Sequence, residues 1–273
     1  MQLHDANKCI GCGICVKVCP ARALVSDKNN RPRPSESFRT DCIRCFHCVV
    51  YCTKHAFAHP DYPAGEQQTY DASRCAGREN MYALLASRRS VRSYRDGFLP
   101  AEEIAELMEA TAFAPTGNNN QDVSYLIVQD RKIRDAFLTE FQRYLKGDID
   151  QRHRLPYAAS LLARLESGED VLFRGSSQWI IALQPKNTLS KCDGVIALTY
   201  FELYARARGL GACWSGFAKD ALNACQELRL LLGVEQDKAC MGLMTFGMPR
   251  YQTNGIVAKR KKPVFAILNN GKG

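Results

Sequence analysis

Apolar residues follow two different periods along most of this chain. Ile104, Leu107, Met108 and Ala112 recur at i, i+3, i+4 spacing behind Pro100, Glu102 and Glu103, which predicts a helix with acids in its first turn. Helical patterns also begin near Glu79 (MYALLASRR), cover about 132–146, and run from Gly194 to Arg208, stopping at Gly209. Between them lie short apolar runs that read as strands: VSYLIVQ at 123–129, WIIAL at 179–183 and CMGLMTFG at 240–247. Residues 114–121, APTGNNNQ, form a loop by composition, and 147–156 are charged and expected to be exposed. Helices alternating with strands predict a layered α/β or α+β domain, neither a bundle nor a sandwich.

The first quarter reads differently. Residues 59–78 are rich in Pro, Gly, Asp and other polar types. The expected organisation is a small unit at 1–60, a linker at 61–78 and the layered domain at 79–273. The small unit has little core, so its stability must come from whatever its cysteines hold.

Eight of the thirteen cysteines repeat one spacing, C-x2-C-x2-C-x3-C. The first copy is Cys9, Cys12, Cys15 and Cys19, followed by Pro20; the second is Cys42, Cys45, Cys48 and Cys52. Such a run wraps three thiolates around one [4Fe–4S] cluster and sends its fourth to the other run's cluster. Cluster 1 is thus expected on Cys9, Cys12, Cys15 and Cys52, and cluster 2 on Cys19, Cys42, Cys45 and Cys48. Gly11 and Gly13 would let backbone N–H groups approach cluster sulfurs, and Pro20 suits a sharp turn after the fourth ligand. Zinc and a disulfide framework are the alternatives. Zinc closes with four ligands and has no use for a third cysteine two residues on; disulfides belong to small chains in oxidising compartments. The opening MQLHDANKC lacks the apolar stretch of a secretion signal. Cys75, Cys192, Cys213, Cys225 and Cys240 are irregularly spaced and read as small buried hydrophobes.

Charge alters the picture little. The formal +9 falls to roughly +5 once each four-thiolate cluster brings about −2. The positive residues are scattered and not interleaved with aromatics, which argues against nucleic acid. No apolar run reaches membrane-spanning length, so a cytoplasmic protein with reduced thiols is expected.

Four segments remain. Arg88-Arg89-Ser90-Val91-Arg92 puts three arginines and a hydroxyl within five residues, which could cradle a phosphate or offset a negative ring. The loop from Ala114 to Gln121 is packed with amides and hydroxyls. Gly209-Leu210-Gly211-Ala212-Cys213-Trp214-Ser215-Gly216 is rich in glycines that permit close backbone approach, and Lys259 to Lys262 is the one tight basic run. In this order and at these separations they resemble the nitroreductase family of FMN enzymes over about residues 80–268. The whole chain thus looks like a nitroreductase-family protein fused to a two-cluster ferredoxin.

The resemblance implies a three-layer α/β/α domain with a mostly antiparallel central sheet, and a homodimer with FMN at the subunit interface. Arg88, Arg89, Ser90 and Arg92 would hold phosphate, ribityl chain and pyrimidine edge. Pro115, Thr116, Gly117 and Asn119 would reach FMN from the opposite subunit. Ser215 and Gly216 would turn backbone N–H groups to the flavin N5, and Arg260 or Lys261 would hold phosphate. Two departures stand out: Gln121 is followed by Asp122-Val123 where the family has Pro-Trp, and WIIAL follows Ser176-Ser177-Gln178 where the family has Ala-Pro.

No residue pattern argues for a general base, as suits chemistry carried by a flavin. The fused clusters suggest electrons from an external ferredoxin, then both clusters, FMN, and a small electrophilic acceptor such as a nitroaromatic or quinone. The alternative is an electron-transfer module that serves another redox protein and has no small substrate of its own.

Overall fold

A computed structural model describes residues 2–62, 71–151, 157–257 and 260–268. Its backbone contacts divide the chain into two compact units: Met1–Cys75 with Pro115–Asp122, and Ala76–Ala114 with Val123–Gly273. The expected linker spans this division, and its residues 63–70 lie outside the described residues. One boundary differs from the sequence reading. Residues 115–122 were expected within the 79–273 domain, yet they group with the first unit because Asn119 Nδ2 donates to the carbonyls of Ile43 and Arg44, both at 3.1 Å.

The first unit is a doubled motif with an offset of 33 residues. Helix α1 (Ile14–Lys17) carries Cys15, the third cysteine of the first run, and its counterpart α3 (His47–Val50) carries Cys48, the third of the second. Strands β1 (Leu24–Ser26) and β2 (Pro32–Pro34) pair antiparallel, and α2 (Phe38–Asp41) leads into the second run. Gly11 and Gly13 take left-handed backbone at φ 66° and 70°, and so do their counterparts Arg44 at 52° and Phe46 at 56°. Arg22 and His55, three residues after each fourth cysteine, match again at 50° and 47°. The core is small, built on Leu3, Leu24, Phe38, Val49 and Phe57, with Cys15, Cys19, Cys42, Cys48 and Cys52 packed against it.

Glycine in the first run answers a local need. A Cβ on Gly11 would stand 2.6 Å from the Asn29 carbonyl oxygen, and one on Gly13 would meet the Asn30 side chain at 2.8 Å. These glycines therefore admit the β1–β2 turn, where Asn30 Nδ2 donates to the Gly11 carbonyl at 2.7 Å. The second run meets the Asn119 side chain at the Arg44 carbonyl instead, and carries side chains at both positions, at a cost of about 1 kcal/mol each for left-handed backbone.

The second unit is a sheet covered on both faces. Its strands are β3 (Ser124–Val128), β4 (Gln178–Pro185), β5 (Gly211–Trp214) and β6 (Lys238–Gly247), in spatial order β3-β4-β6-β5, all antiparallel. Strand side chains alternate sides. Trp179, Ile181, Leu183 and Leu243 join one core with α6 (Arg131–Gln151), α7 (Ala158–Glu166), α9 (Gly216–Ala224) and α10 (Gln226–Leu231). Ile180, Ala182, Met244 and Phe246 join the other core with α5 (Ala101–Thr111) and α8 (Asp193–Ala207). Helix α4 (Arg78–Ser87) packs on α8. This is the three-layer α/β/α arrangement, and burial on both faces explains why WIIAL is a continuous apolar run.

Candidate functional site

The cysteines fall into two groups of four. Cys9, Cys12, Cys15 and Cys52 line one cavity together with His4, Pro32 and Phe57. Burial pushes the Cys15 thiol up to about 11, with Cys52, Cys12 and Cys9 adding repulsion. Burial likewise pushes Cys48 up to about 12, reinforced by Cys42, Cys45 and Cys19 in that order. Each fourth cysteine thus stands with the opposite run. All thirteen cysteines are free. Among the described residues no three His, Cys, Asp or Glu side chains close on a single metal ion. Four thiols spaced around a cavity suit a bulky cluster better than one ion, since a cubane holds its thiolates apart. His4 Nδ1 is buried with no protein partner in that same lining, as a donor toward a cluster sulfur would be. Thiols that burial keeps protonated need a cationic centre to become thiolates. The residues fit two clusters.

Cys42, Arg44, Phe46 and the loop Asn118–Gln121 line a further cavity of about 870 Å3. The loop is a tight 3-10 turn at Gly117–Asn119, with Asn118, Asn119 and Gln121 all left-handed. Thr116 Oγ1 accepts from the Gln121 N–H at 3.0 Å, and Gln121 Nε2 donates to Asn119 Oδ1 at 3.2 Å. Of the flavin-loop candidates Pro115, Thr116, Gly117 and Asn119, the structure therefore commits Asn119 to the backbone of the second cysteine run.

In the second unit the arginine segment runs along β5. The Val91 N–H donates to the Ala212 carbonyl at 3.0 Å, and Ser90 bridges Ala212 in parallel. Gly211 permits this approach, because a Cβ there would stand 2.6 Å from Val91; its role is backbone packing and not the ligand contact expected from sequence. Arg88 Nη1 donates to Oε1 of buried Glu202 at 2.9 Å, and Trp214 Nε1 donates to the other carboxylate oxygen at 3.3 Å. Arg88 is an anchor, so its expected phosphate contact would have to come from its other nitrogens. Arg89 Nη1 caps the Arg88 carbonyl at 2.7 Å, while its Nη2 is buried with no protein partner. An anion at Nη2 would satisfy it. Arg89 lines a small cavity with Ser87, Arg206 and Thr253, and Arg206 had no signal in the sequence beyond being basic.

Arg92 acts on a different point. Burial raises the Cys213 thiol, while Arg92 and Arg174 both pull it down and Ser90 hydrogen-bonds it. Arg174, left-handed at φ 56°, was not among the sequence candidates. The Ser215 N–H donates to the Leu243 carbonyl at 2.9 Å, so it is spent inside the fold. Gly216 opens α9, where first-turn N–H groups have no intrahelical acceptor. Of the expected N5 pair, Gly216 is the one with a donor to offer. Arg260 and Lys261 are exposed and stand apart from the Arg89 cavity lining; Lys259 lies outside the described residues.

Two family profiles match this chain. The 4Fe-4S dicluster domain profile matches residues 1–53 and that of the nitroreductase family matches 85–248. An uncharacterized protein of Methanocaldococcus jannaschii is 35% identical over 54 residues, 20% of this chain and 19% of its own length. A protein of Archaeoglobus fulgidus, provisionally named an NADH dehydrogenase/NAD(P)H nitroreductase, is 24% identical over 181 residues, covering 63% of this chain and 87% of that protein. A nitroreductase with bound FMN from Bacteroides fragilis shares the fold at a TM-score of 0.55 and 20% identity, over 69% of this chain and 98% of that one. One from Desulfitobacterium hafniense, also with bound FMN, has the same score and identity over 68% and 97%. With more than half its length matched by the family profile, this chain belongs to the nitroreductase family and carries a 4Fe-4S dicluster segment ahead of that domain.

Proposed function

We propose that this protein is an FMN-dependent oxidoreductase. It takes electrons from ferredoxin or a similar low-potential donor through two [4Fe–4S] clusters and reduces a small electrophile such as a nitroaromatic or quinone. One observation carries the reading: two crossed groups of four cysteines stand in one chain with a nitroreductase-family fold. Bound clusters supply single-electron transfer, and bound FMN supplies a two-electron store.

Cys9, Cys12, Cys15 and Cys52 hold the first cluster, and Cys19, Cys42, Cys45 and Cys48 the second. Arg89 takes the FMN phosphate through its unpartnered Nη2, with Arg88 locked by Glu202 behind it. Ser90 and Arg92 face the ring side, where the Arg92 guanidinium offsets negative charge in a partly desolvated site. Gly216 offers an N–H at the start of α9. Arg260 or Lys261, together with Pro115, Thr116 and Gly117, complete the site from a second copy. The homodimer has independent support in apolar surface that one chain leaves open. Met81, Tyr82, Leu85 and Phe113 are exposed, and so are Val264, Phe265, Ile267 and Leu268 in the C-terminal segment. Among the described residues no helix is long and apolar enough to cross a membrane.

An anaerobic reductive titration of the purified protein, followed by visible absorption and EPR, tests the reading. It should find about eight irons per chain, one flavin, and electrons passing from clusters to flavin and on to an added quinone over many turnovers. Clusters without flavin would remove the reductase reading. Flavin reduced by ferredoxin but closed to every small acceptor would favour the electron-transfer module. Sedimentation at two protein concentrations checks the dimer.

A further inference from the structure

We infer that His59 sets the reduction potential of the second cluster by donating a hydrogen bond from Nε2 to the Cys42 sulfur. The inference rests on the cluster reading above. His59 is buried, and its Nε2 lies 3.3 Å from Cys42 Sγ. The tautomer follows from the other nitrogen: the backbone N–H of Asp61 donates to His59 Nδ1 at 3.0 Å, so Nδ1 carries no proton. A neutral imidazole must then carry its proton on Nε2, aimed at the sulfur.

The ring is held from three sides. Phe46 packs edge-on at 5.1 Å and Phe38 at 5.8 Å. Arg44 Nε pairs with Asp61 Oδ2 at 3.0 Å, fixing the residue whose N–H selects the tautomer. Arg44 and Phe46 are the two second-run positions that accept left-handed backbone without glycine. Their first-run counterparts, Gly11 and Gly13, have no side chain to offer. The repeat therefore departs from its own symmetry where it builds the bracket around His59.

An N–H dipole pointed at a ligand sulfur favours the extra negative charge of the reduced cluster, so it raises that cluster's potential. The second cluster becomes a better electron acceptor than its thiolates alone would make it, which suits the receiving end of a relay. A charge-assisted hydrogen bond of this kind is worth about tenfold in the one-electron equilibrium, or ~59 mV.

The test is an EPR-monitored redox titration of the full cluster-loaded protein and its His59→Phe and His59→Gln variants. In His59→Phe, which keeps a ring between Phe38 and Phe46, one centre should become about tenfold harder to reduce while the other stays put. His59→Gln, with an amide donor, should recover part of the shift. Unchanged potentials in His59→Phe with both clusters intact would overturn the inference. A missing iron signal in the unaltered protein would instead defeat the cluster reading itself. Pulsed EPR on His4→Phe protein carrying 15N-histidine removes the other histidine beside a cluster: a weak nitrogen coupling to a reduced cluster then supports the bond, and its absence refutes it.

Discussion

Glu202→Gln removes one charge from a buried pair and little else. The carboxylate meets Arg88 Nη1 at 2.9 Å and Trp214 Nε1 at 3.3 Å, with side-chain exposure of 8% for Glu202 and 28% for Arg88. Breaking a fully buried pair costs about 3–5 kcal/mol, but water reaching the arginine recovers part of that, which leaves about 2 kcal/mol for the glutamine variant. Glu202→Leu also strands the indole N–H and should cost about 1 kcal/mol more. The chain has two tryptophans, one of them Trp214, so urea unfolding followed by fluorescence reads the loss as a lower midpoint at constant slope. Combining Glu202→Gln with Arg88→Met should give a coupling of about 1–2 kcal/mol. A Glu202→Gln cost below about 0.5 kcal/mol, or a coupling near zero, would mean the pair is not formed in solution. Arg88 would then be free to bind phosphate alongside Arg89.

Other positions separate the remaining roles. Arg89→Ala should weaken FMN retention about tenfold, measured by fluorescence titration, while shifting stability by no more than about 0.5 kcal/mol. Cys19→Ala should abolish the second cluster's EPR signal and spare the first; loss of the first alone would refute crossed ligation. Gly11→Ala forces a Cβ to 2.6 Å from the Asn29 carbonyl on left-handed backbone, so iron content after purification should fall, whereas the counterpart Arg44→Ala should retain it. Burial raises the Cys240 thiol from 9.0 to about 12. The unfolded chain loses that proton first, so the folded form holds more protons in this window and stability falls as pH rises, by about 1.4 kcal/mol per unit. Cys240→Ala should flatten the alkaline side of a urea-midpoint profile by about that slope.

Much of the layered domain was legible because its elements are long and periodic. The helix around Ile104, Leu107 and Met108, the apolar helix ending before Gly209, and three of the four sheet strands stand where the pattern puts them. Helices α7, α9 and α10 were missed. They are short, and α9 and α10 follow Ser215 and Cys225 without a strong start signal, so tertiary packing decides them. Strand β5 was hidden because Gly211 to Trp214 read as a glycine-rich ligand segment, and its pairing with β6 is a long-range contact that no local pattern announces. Residues 115–122 were placed by their composition as a loop and by the family resemblance. Two hydrogen bonds from Asn119 to Ile43 and Arg44, 76 and 75 positions earlier, are long-range contacts that neither could announce.

Legibility of the site divides along the same physical line. The proposed cluster ligands are written in spacing, since four thiolates around a cubane must come from fixed offsets, and Cys9, Cys12, Cys15 and Cys52 line one cavity together. The groups that tune such a centre follow no offset. His59 is 17 residues from Cys42, and what makes it a donor is the Asp61 N–H on its far nitrogen, a fact about three-dimensional packing. Arginine roles are equally silent in sequence: Arg88 and Arg89 are adjacent and chemically identical, yet one faces Glu202 and the other keeps a buried, unpartnered nitrogen. A motif can state that arginine is needed there. Which of two neighbours anchors the fold and which keeps a nitrogen without a protein partner depends on a carboxylate 114 residues away.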